Sequence, residues 1–301
     1  MKYFILKTLG FTIFLLLFLE IIIRILHFYN DVPLRMIDDY GNEKWVPFQE
    51  GYFYTGTKKE TVSKYRINNF GFNSTLNYSF NHSDTTKIGL FGDSYIEGFN
   101  QDVDQSIGIK IMNKIPIICY EFGFSGYDFA SIIHLIETNE SKFKVLDRIY
   151  IYLNNSDFNR STYTISNHQK ERTNTLISTI YRNFKFLMFL NHNGYIKTIK
   201  EKFRFHSKNI DKPNYKIHNI NQLINNSHID WSKVIFIIDS SEIDSLIIQK
   251  LNSLAKVLDI TNIFSKSKYK TNFGYDKHWN NHGRSLISDF IIRNENNYIQ
   301  Y

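Results

Sequence analysis

Five short apolar runs, separated by stretches with helical spacing, constrain this chain more than any other feature. Lys87-Ile88-Gly89-Leu90-Phe91 ends in Gly92-Asp93-Ser94, Ile117 to Phe122 ends at Gly123, and Arg148 to Leu153 (RIYIYL) ends in Asn154-Asn155. Val234 to Asp239 (VIFIID) and Val257 to Ile260 complete the set. Between them, Ile107 to Ile115, Tyr127 to Glu137 and Ser241 to Leu254 have the spacing of helices, and Gly283 to Arg293 forms one more at the C-terminal end. Runs of this length without polar alternation are strands buried on both faces, and strands that alternate with helices pair in parallel through right-handed crossovers. The expected fold class is α/β, three layers around a central parallel sheet.

The first 28 residues decide the compartment. Lys2 and Lys7 precede an uncharged run from Thr8 to Leu19, and Glu20 and Arg24 follow at a spacing that lets them pair on one helix face. Leu9 to Phe28 is about the 20 residues needed to cross a hydrocarbon core. No small-residue cleavage site follows, since the next residues are Tyr29-Asn30-Asp31-Val32-Pro33. Residues 1–28 are therefore expected to form an uncleaved signal anchor. The lysines hold its short side in the cytoplasm, and the rest of the chain stands outside the cytoplasm, periplasmic or at the cell surface.

Residues 29–86 form a polar and aromatic N-terminal extension, with turn signals at Asp38-Asp39-Tyr40-Gly41 and Asn69-Phe70-Gly71-Phe72. The α/β domain is expected over 87–301. Within it, about 159–230 is polar, basic and Asn-rich and reads as an insertion, with one amphipathic segment from Leu176 to Leu190. It is expected either to close over one face as a lid or to be a solvated excursion.

Three strand-end features carry the chemistry, because open α/β sheets place their sites there. Ser94 follows the first strand and can project its hydroxyl at the sheet edge, but a serine needs a neighbouring base before it attacks. Asp276 and His278, in Tyr275-Asp276-Lys277-His278-Trp279-Asn280, stand two residues apart just ahead of the last helix. A carboxylate so placed orients an imidazole and stabilises its charged form. Gly126, in Gly123-Phe124-Ser125-Gly126-Tyr127, presents an unhindered backbone N–H, and Asn154 and Asn155 present side-chain amides. With the backbone N–H of Ser94, these are candidate donors to an oxyanion.

In that order, strand-GDS, strand-GxxG, strand-Asn and a C-terminal Asp-x-His, the motifs resemble the SGNH (GDSL-like) hydrolase superfamily. The resemblance runs from about Arg66 to Ile291. Arg66-Ile67-Asn68-Asn69-Phe70-Gly71-Phe72 is similar to the segment ahead of the nucleophile block in membrane-anchored members. Asp276-Lys277-His278-Trp279-Asn280 is similar to the form in the related exopolysaccharide O-acetyltransferases. The resemblance implies Ser94 as nucleophile, His278 as general base and then acid, and Asp276 as the residue that orients it. It implies an oxyanion hole of Ser94, Gly126 and an asparagine, and acyl transfer, with acetyl expected, on a cell-envelope glycan or small ester. Three positions depart from the pattern. Leu153-Asn154-Asn155-Ser156-Asp157 replaces Gly-x-Asn-Asp, so that Ser156 falls where the asparagine is expected and Asn155 or Asn154 needs a shift of one or two residues. Glu121 stands where many relatives carry asparagine, and Asp276 and His278 are one residue closer than in the commonest form.

The irregular third block supports an alternative, a catalytically weak glycan-binding or polysaccharide-assembly protein that retains the fold. Other classes fare worse. Thirty-six Lys and Arg against 29 Asp and Glu give a net charge of +7, spread too thinly to track phosphates, so no nucleic acid is expected. Gly123-x-x-Gly126 is not a dinucleotide fingerprint, and no Walker-type Gly-Lys-Ser/Thr occurs. The one cysteine, Cys119, excludes an internal disulfide framework and a zinc site built on several thiolates; its apolar setting marks it as a packing residue. No metal and no cofactor is expected.

Overall fold

A computed structural model describes residues 1–56, 59–173, 176, 180, 182–195 and 215–298. The five apolar runs form a five-stranded, wholly parallel sheet of β5 (Lys87–Gly92), β6 (Ile118–Gly123), β7 (Arg148–Leu153), β8 (Val234–Ile238) and β9 (Lys256–Asp259), in the order β6-β5-β7-β8-β9. Every residue of β5 and β8 is buried, which is why these runs lack the alternation of half-exposed strands. Helices cover both faces. Ile107–Met112 and the C-terminal helix Asn281–Glu295 pack with Ile88, Leu90, Ile235 and Ile237 on one side. Phe129–Thr138, Lys216–Asn226 and Ser245–Asn252 pack with Phe91, Phe122, Ile151 and Phe236 on the other. The chain leaves β5 for β6 on one side and then returns to β7 on the other. The sheet order therefore reverses at β5 and β7, and open α/β sheets form their crevice at such a point, beyond the strands' C-terminal ends.

The stretch from Asn159 to Asp230 is not one continuous excursion. Its last helix, Lys216–Asn226, buries Ile220 and Leu223 in the core and links β7 to β8. A parallel pair needs such a crossover, so this part belongs to the sheet's own architecture. Of the amphipathic segment Leu176 to Leu190, residues 177–179 and 181 lie outside the described residues, as do 196–214 further on.

Ahead of the sheet, the polar extension folds into two antiparallel hairpins, β1 (Arg35–Ile37) with β2 (Glu43–Trp45) and β3 (Glu50–Thr55) with β4 (Thr61–Arg66). They pack on the domain, since Trp45, Tyr65, Ile67, Phe72 and Tyr78 are buried within its larger core cluster. The Tyr78 hydroxyl donates to the Glu121 carbonyl at 2.6 Å, which ties the extension to β6. The expected turns are present, with Gly41 and Gly71 at φ +86° and +88°. The N-terminal helix spans Lys2–Ile25 and is long and apolar enough to cross a membrane. Glu20 and Arg24 pair on it at 2.7 Å.

Candidate active site

Ser94 opens a four-residue helix, Ser94–Glu97, directly after β5, and Asp93 caps it by accepting the Tyr95 N–H at 2.9 Å. Gly98 ends it in the left-handed region at φ +70°. A Cβ there would lie 2.5 Å from the Arg284 guanidinium, so this position needs glycine for both conformation and space. Arg284, fully buried in the C-terminal helix, donates to the Tyr95 carbonyl at 2.9 Å. The Ser94 turn is thus fixed to the helix that follows the His278 loop.

His278 Nε2 lies 2.8 Å from Ser94 Oγ, and its Nδ1 lies 2.7 Å from Asp276 Oδ1. An ionised carboxylate only accepts hydrogen bonds, so Nδ1 carries the ring hydrogen and Nε2 is left to accept from the serine hydroxyl. Asp276 also accepts the His278 backbone N–H at 3.2 Å and the Asn100 amide at 3.0 Å. Partial burial pushes the Asp276 carboxyl up, but the bonds from His278 and Asn100 outweigh it and hold the group below the usual carboxylate range. Tyr95 backs the imidazole, with ring centroids 4.6 Å apart.

Asn154 caps a 3₁₀ turn, Asn155–Phe158, after β7, the strand beside β5. Its backbone N–H donates to Asp157 Oδ2 at 2.8 Å and its side-chain amide to Asp93 Oδ2 at 3.0 Å, so both ends of the residue are fixed beside the Ser94 turn. The second amide hydrogen has no protein acceptor among the described residues. Burial, and the proximity of the two carboxyls, pushes Asp157 well above its ordinary value; burial raises Asp93 as well. Asn155 also lines the cavity but faces solvent, and its Oδ1 accepts from Lys216 at 2.9 Å. Gly126 sits at φ +98° with open space where a side chain would be, and is not among the residues that line the cavity. Glu121 is buried in β6 and accepts the Ser106 hydroxyl at 2.5 Å, away from that cavity.

The cavity over Ser94 and His278 is solvent-open, with a volume of about 640 Å³. Asn154, Asn155, Asn159, Lys216, Glu242 and Lys277 line it alongside Tyr95. Sequence reasoning missed Asn100 and Arg284, which bond Asp276 and the Tyr95 carbonyl from 176 and 189 residues away along the chain, and Glu97, which accepts the Ser125 hydroxyl across 28 residues. No local pattern announces such contacts. The choice between the asparagines did have a signal: Asn154-x-x-Asp157 is a capping-box pattern, which turns the Asn154 side chain back towards its own helix start.

No protein-family model matches the chain, and no curated protein matches it. Among solved structures, the chain is similar to a lipase/acylhydrolase from Enterococcus faecalis, at 15% identity over 72% of this chain and 98% of that one, with a TM-score of 0.39. It is similar to a member of the lipolytic protein G-D-S-L family from Veillonella parvula, at 15% identity over 69% and 97%, with a TM-score of 0.34. It is also similar to a family 3 carbohydrate esterase from Clostridium thermocellum, at 14% identity over 70% and 99%, with a TM-score of 0.31. These neighbours are named as a lipase/acylhydrolase, a lipolytic protein of the G-D-S-L family and a carbohydrate esterase. At such scores the likeness carries nothing about chemistry, which rests on the geometry of the site.

Proposed function

We propose that this protein is a serine esterase or O-acyltransferase, tethered to a membrane by residues 1–28 and acting outside the cytoplasm on short acyl groups, acetyl above all, of a cell-envelope glycan. The observation that carries the proposal is the hydrogen-bonded chain Ser94–His278–Asp276, at 2.8 and 2.7 Å, in the crevice where the sheet order reverses. As Ser94 Oγ attacks the ester carbonyl carbon, its proton passes to His278 Nε2, and Asp276 stabilises the imidazolium that forms. The tetrahedral oxyanion takes hydrogen bonds from the Ser94 backbone N–H and the spare amide hydrogen of Asn154; Gly126, which does not line the cavity, has no part in it. Collapse breaks the bond to the alcohol oxygen, which leaves with the proton from Nε2. Water or a sugar hydroxyl then gives its proton to Nε2 and attacks the acyl-enzyme, releasing Ser94.

The lining supports the substrate class. A long acyl chain needs an apolar groove, since each buried methylene contributes about 0.8 kcal/mol. Besides Ser94 and His278, the wall of this cavity consists of three asparagines, two lysines, Asp93, Glu242 and Ser156, with Tyr95 as its large apolar ring. Such a wall suits a hydroxylated acceptor and a small acyl group. Asn154 beside Asp93 supplies the amide that the irregular third block left open, and this favours an enzyme over a fold-retaining binding protein. The test is turnover of acetylated sugars and of a chromogenic acetate ester by wild type and Ser94→Ala. Loss of turnover at an unchanged melting temperature is expected. Turnover retained in the variant removes Ser94 from the mechanism.

A further inference from the structure

The exit of the N-terminal helix is joined to a second helix, Lys185–His192, through groups that an apolar span would not ordinarily carry. The Glu20 carboxylate accepts the backbone N–H groups of Lys185 at 2.9 Å and Phe186 at 2.7 Å. It thereby satisfies two of the four donors that every helix start leaves unpaired. Arg24 pairs with Glu20 and donates to the Asn183 carbonyl at 2.6 Å. Phe28 packs on Phe189, with centroids 6.3 Å apart, and Lys185 reaches Asp31 at 3.1 Å. The contact is therefore polar at its centre and apolar at its rim.

Its height follows from helix geometry. Twenty-four residues at 1.5 Å each make roughly 36 Å, against a hydrocarbon core about 30 Å thick. Centred in the bilayer, the helix leaves about 3 Å beyond each boundary. Glu20, five residues before Ile25, then lies within one turn of the boundary on the domain's side. A helix whose first turn is held by Glu20 lies at that same depth. Around the joint, Leu26, Phe28, Phe184 and Leu187 are 51%, 41%, 53% and 37% exposed. Left in water, these side chains would form an apolar collar around the helix exit, of the kind that marks an interaction surface.

From this juxtaposition, Glu20 capping the first turn of Lys185–His192 beside that exposed collar, we infer that the helix is an interfacial element. It lies at the headgroup–acyl boundary of the bilayer that the N-terminal helix crosses, with Phe184, Leu187 and Phe28 in contact with lipid. The occupant of the apolar face is the lipid surface, because the face is continuous with the span. A short amphipathic helix in the interface plane buries its apolar side against the acyl boundary. The paired and capped Glu20 carboxylate is then tolerated near the hydrocarbon, since its acceptor sites are filled. The same joint fixes the domain against the membrane: the Lys59 ammonium donates to the His27 carbonyl at 3.1 Å from the β3–β4 hairpin, while Thr55 and Thr61 of that hairpin bond the Tyr275 hydroxyl at 2.7 and 2.6 Å. The loop that carries Asp276 and His278 is therefore one hairpin away from the point where the chain leaves the bilayer.

The inference rests on the membrane reading of residues 1–28 and not on chemistry at Ser94, so the two fail separately. The test uses the full chain in liposomes, with single cysteines at Leu187→Cys, Ile13→Cys or Tyr269→Cys carrying an environment-sensitive fluorophore. Brominated phospholipid is the quencher. The native Cys119 is 1% exposed and leaves the label to the introduced site. Quenching at position 13 reports the span, and position 269, 74% exposed, is the aqueous control. The inference predicts quenching and a blue-shifted emission at position 187 as well as at 13, with neither at 269. A probe at 187 that behaves like the one at 269 while 13 is quenched overturns it, and absence of quenching at 13 overturns it together with the span.

Discussion

Replacing Glu97 by glutamine should make the protein more stable in alkaline buffer and leave it nearly unchanged in acid. Glu97 stands one turn after Ser94 and is fully buried, accepting the Trp45 indole N–H at 2.7 Å and the Ser125 hydroxyl. Burial pushes its carboxyl from 4.5 up to about 7, against the opposing pull of Ser125, Arg35 and Trp45. Each tenfold change in acidity is worth about 1.4 kcal/mol. The gap between 4.5 and about 7 therefore corresponds to roughly 3 kcal/mol. The sign follows from the direction: the folded state holds the proton more tightly than the unfolded chain. This contribution is complete below about 4.5 and is lost as pH rises through about 7. Glutamine keeps an acceptor for Trp45, and its amide donates to Ser125 without a charge to ionise. Thermal unfolding followed by Trp fluorescence at pH 5 and pH 8 reads the difference. The variant should match wild type at pH 5 and melt higher at pH 8, by up to about 10 °C for this gap in a domain of this size. Equal destabilisation at both pH values would refute the reasoning, because it would mean that Glu97 is held as a carboxylate whose charge the fold uses.

Asn154→Ala should lower kcat by about 10²- to 10³-fold while Asn155→Ala changes it little, as steady-state kinetics with an acetate ester would show; equal, small effects would exclude both as oxyanion donors. Asp276→Asn should lower kcat on the order of 10⁴-fold, because the amide cannot keep the Nδ1 hydrogen in place. Gly123→Ala should destabilise the fold and impair the site together, since its Cβ would lie 2.1 Å from the Glu97 backbone nitrogen; a melting temperature unchanged from wild type would contradict that close approach.

The sheet was legible because its strands are buried on both faces and so appear as unbroken apolar runs. Arg148–Leu153 matches its expected bounds, and the others shift by one residue. The hairpins of the extension were not legible. In β2, Glu43, Lys44 and Trp45 are all buried, and the charges are tolerated there through partners outside the strand: Arg35 and the distant Arg172 for Glu43, Asp38 for Lys44. The crossover helix Lys216–Asn226 was hidden by its polar composition, although Ile217, Ile220, Leu223 and Ile224 recur at helical spacing. At the site, the sequence placed Ser94, Asp276 and His278 by motif order, and the structure brings Ser94 and Asp276 within hydrogen-bond distance of the two His278 ring nitrogens. The groups that hold them in place, Asn100 on Asp276 and Arg284 on the Tyr95 carbonyl, act across the fold and leave no periodic trace in the sequence.

Covalent labelling of the full-length protein with a fluorophosphonate, mapped by mass spectrometry, tests the proposed activated serine most directly. The account predicts one adduct, on Ser94, which is lost in His278→Ala. A folded protein that takes no label at Ser94, or takes it equally well without His278, would contradict it.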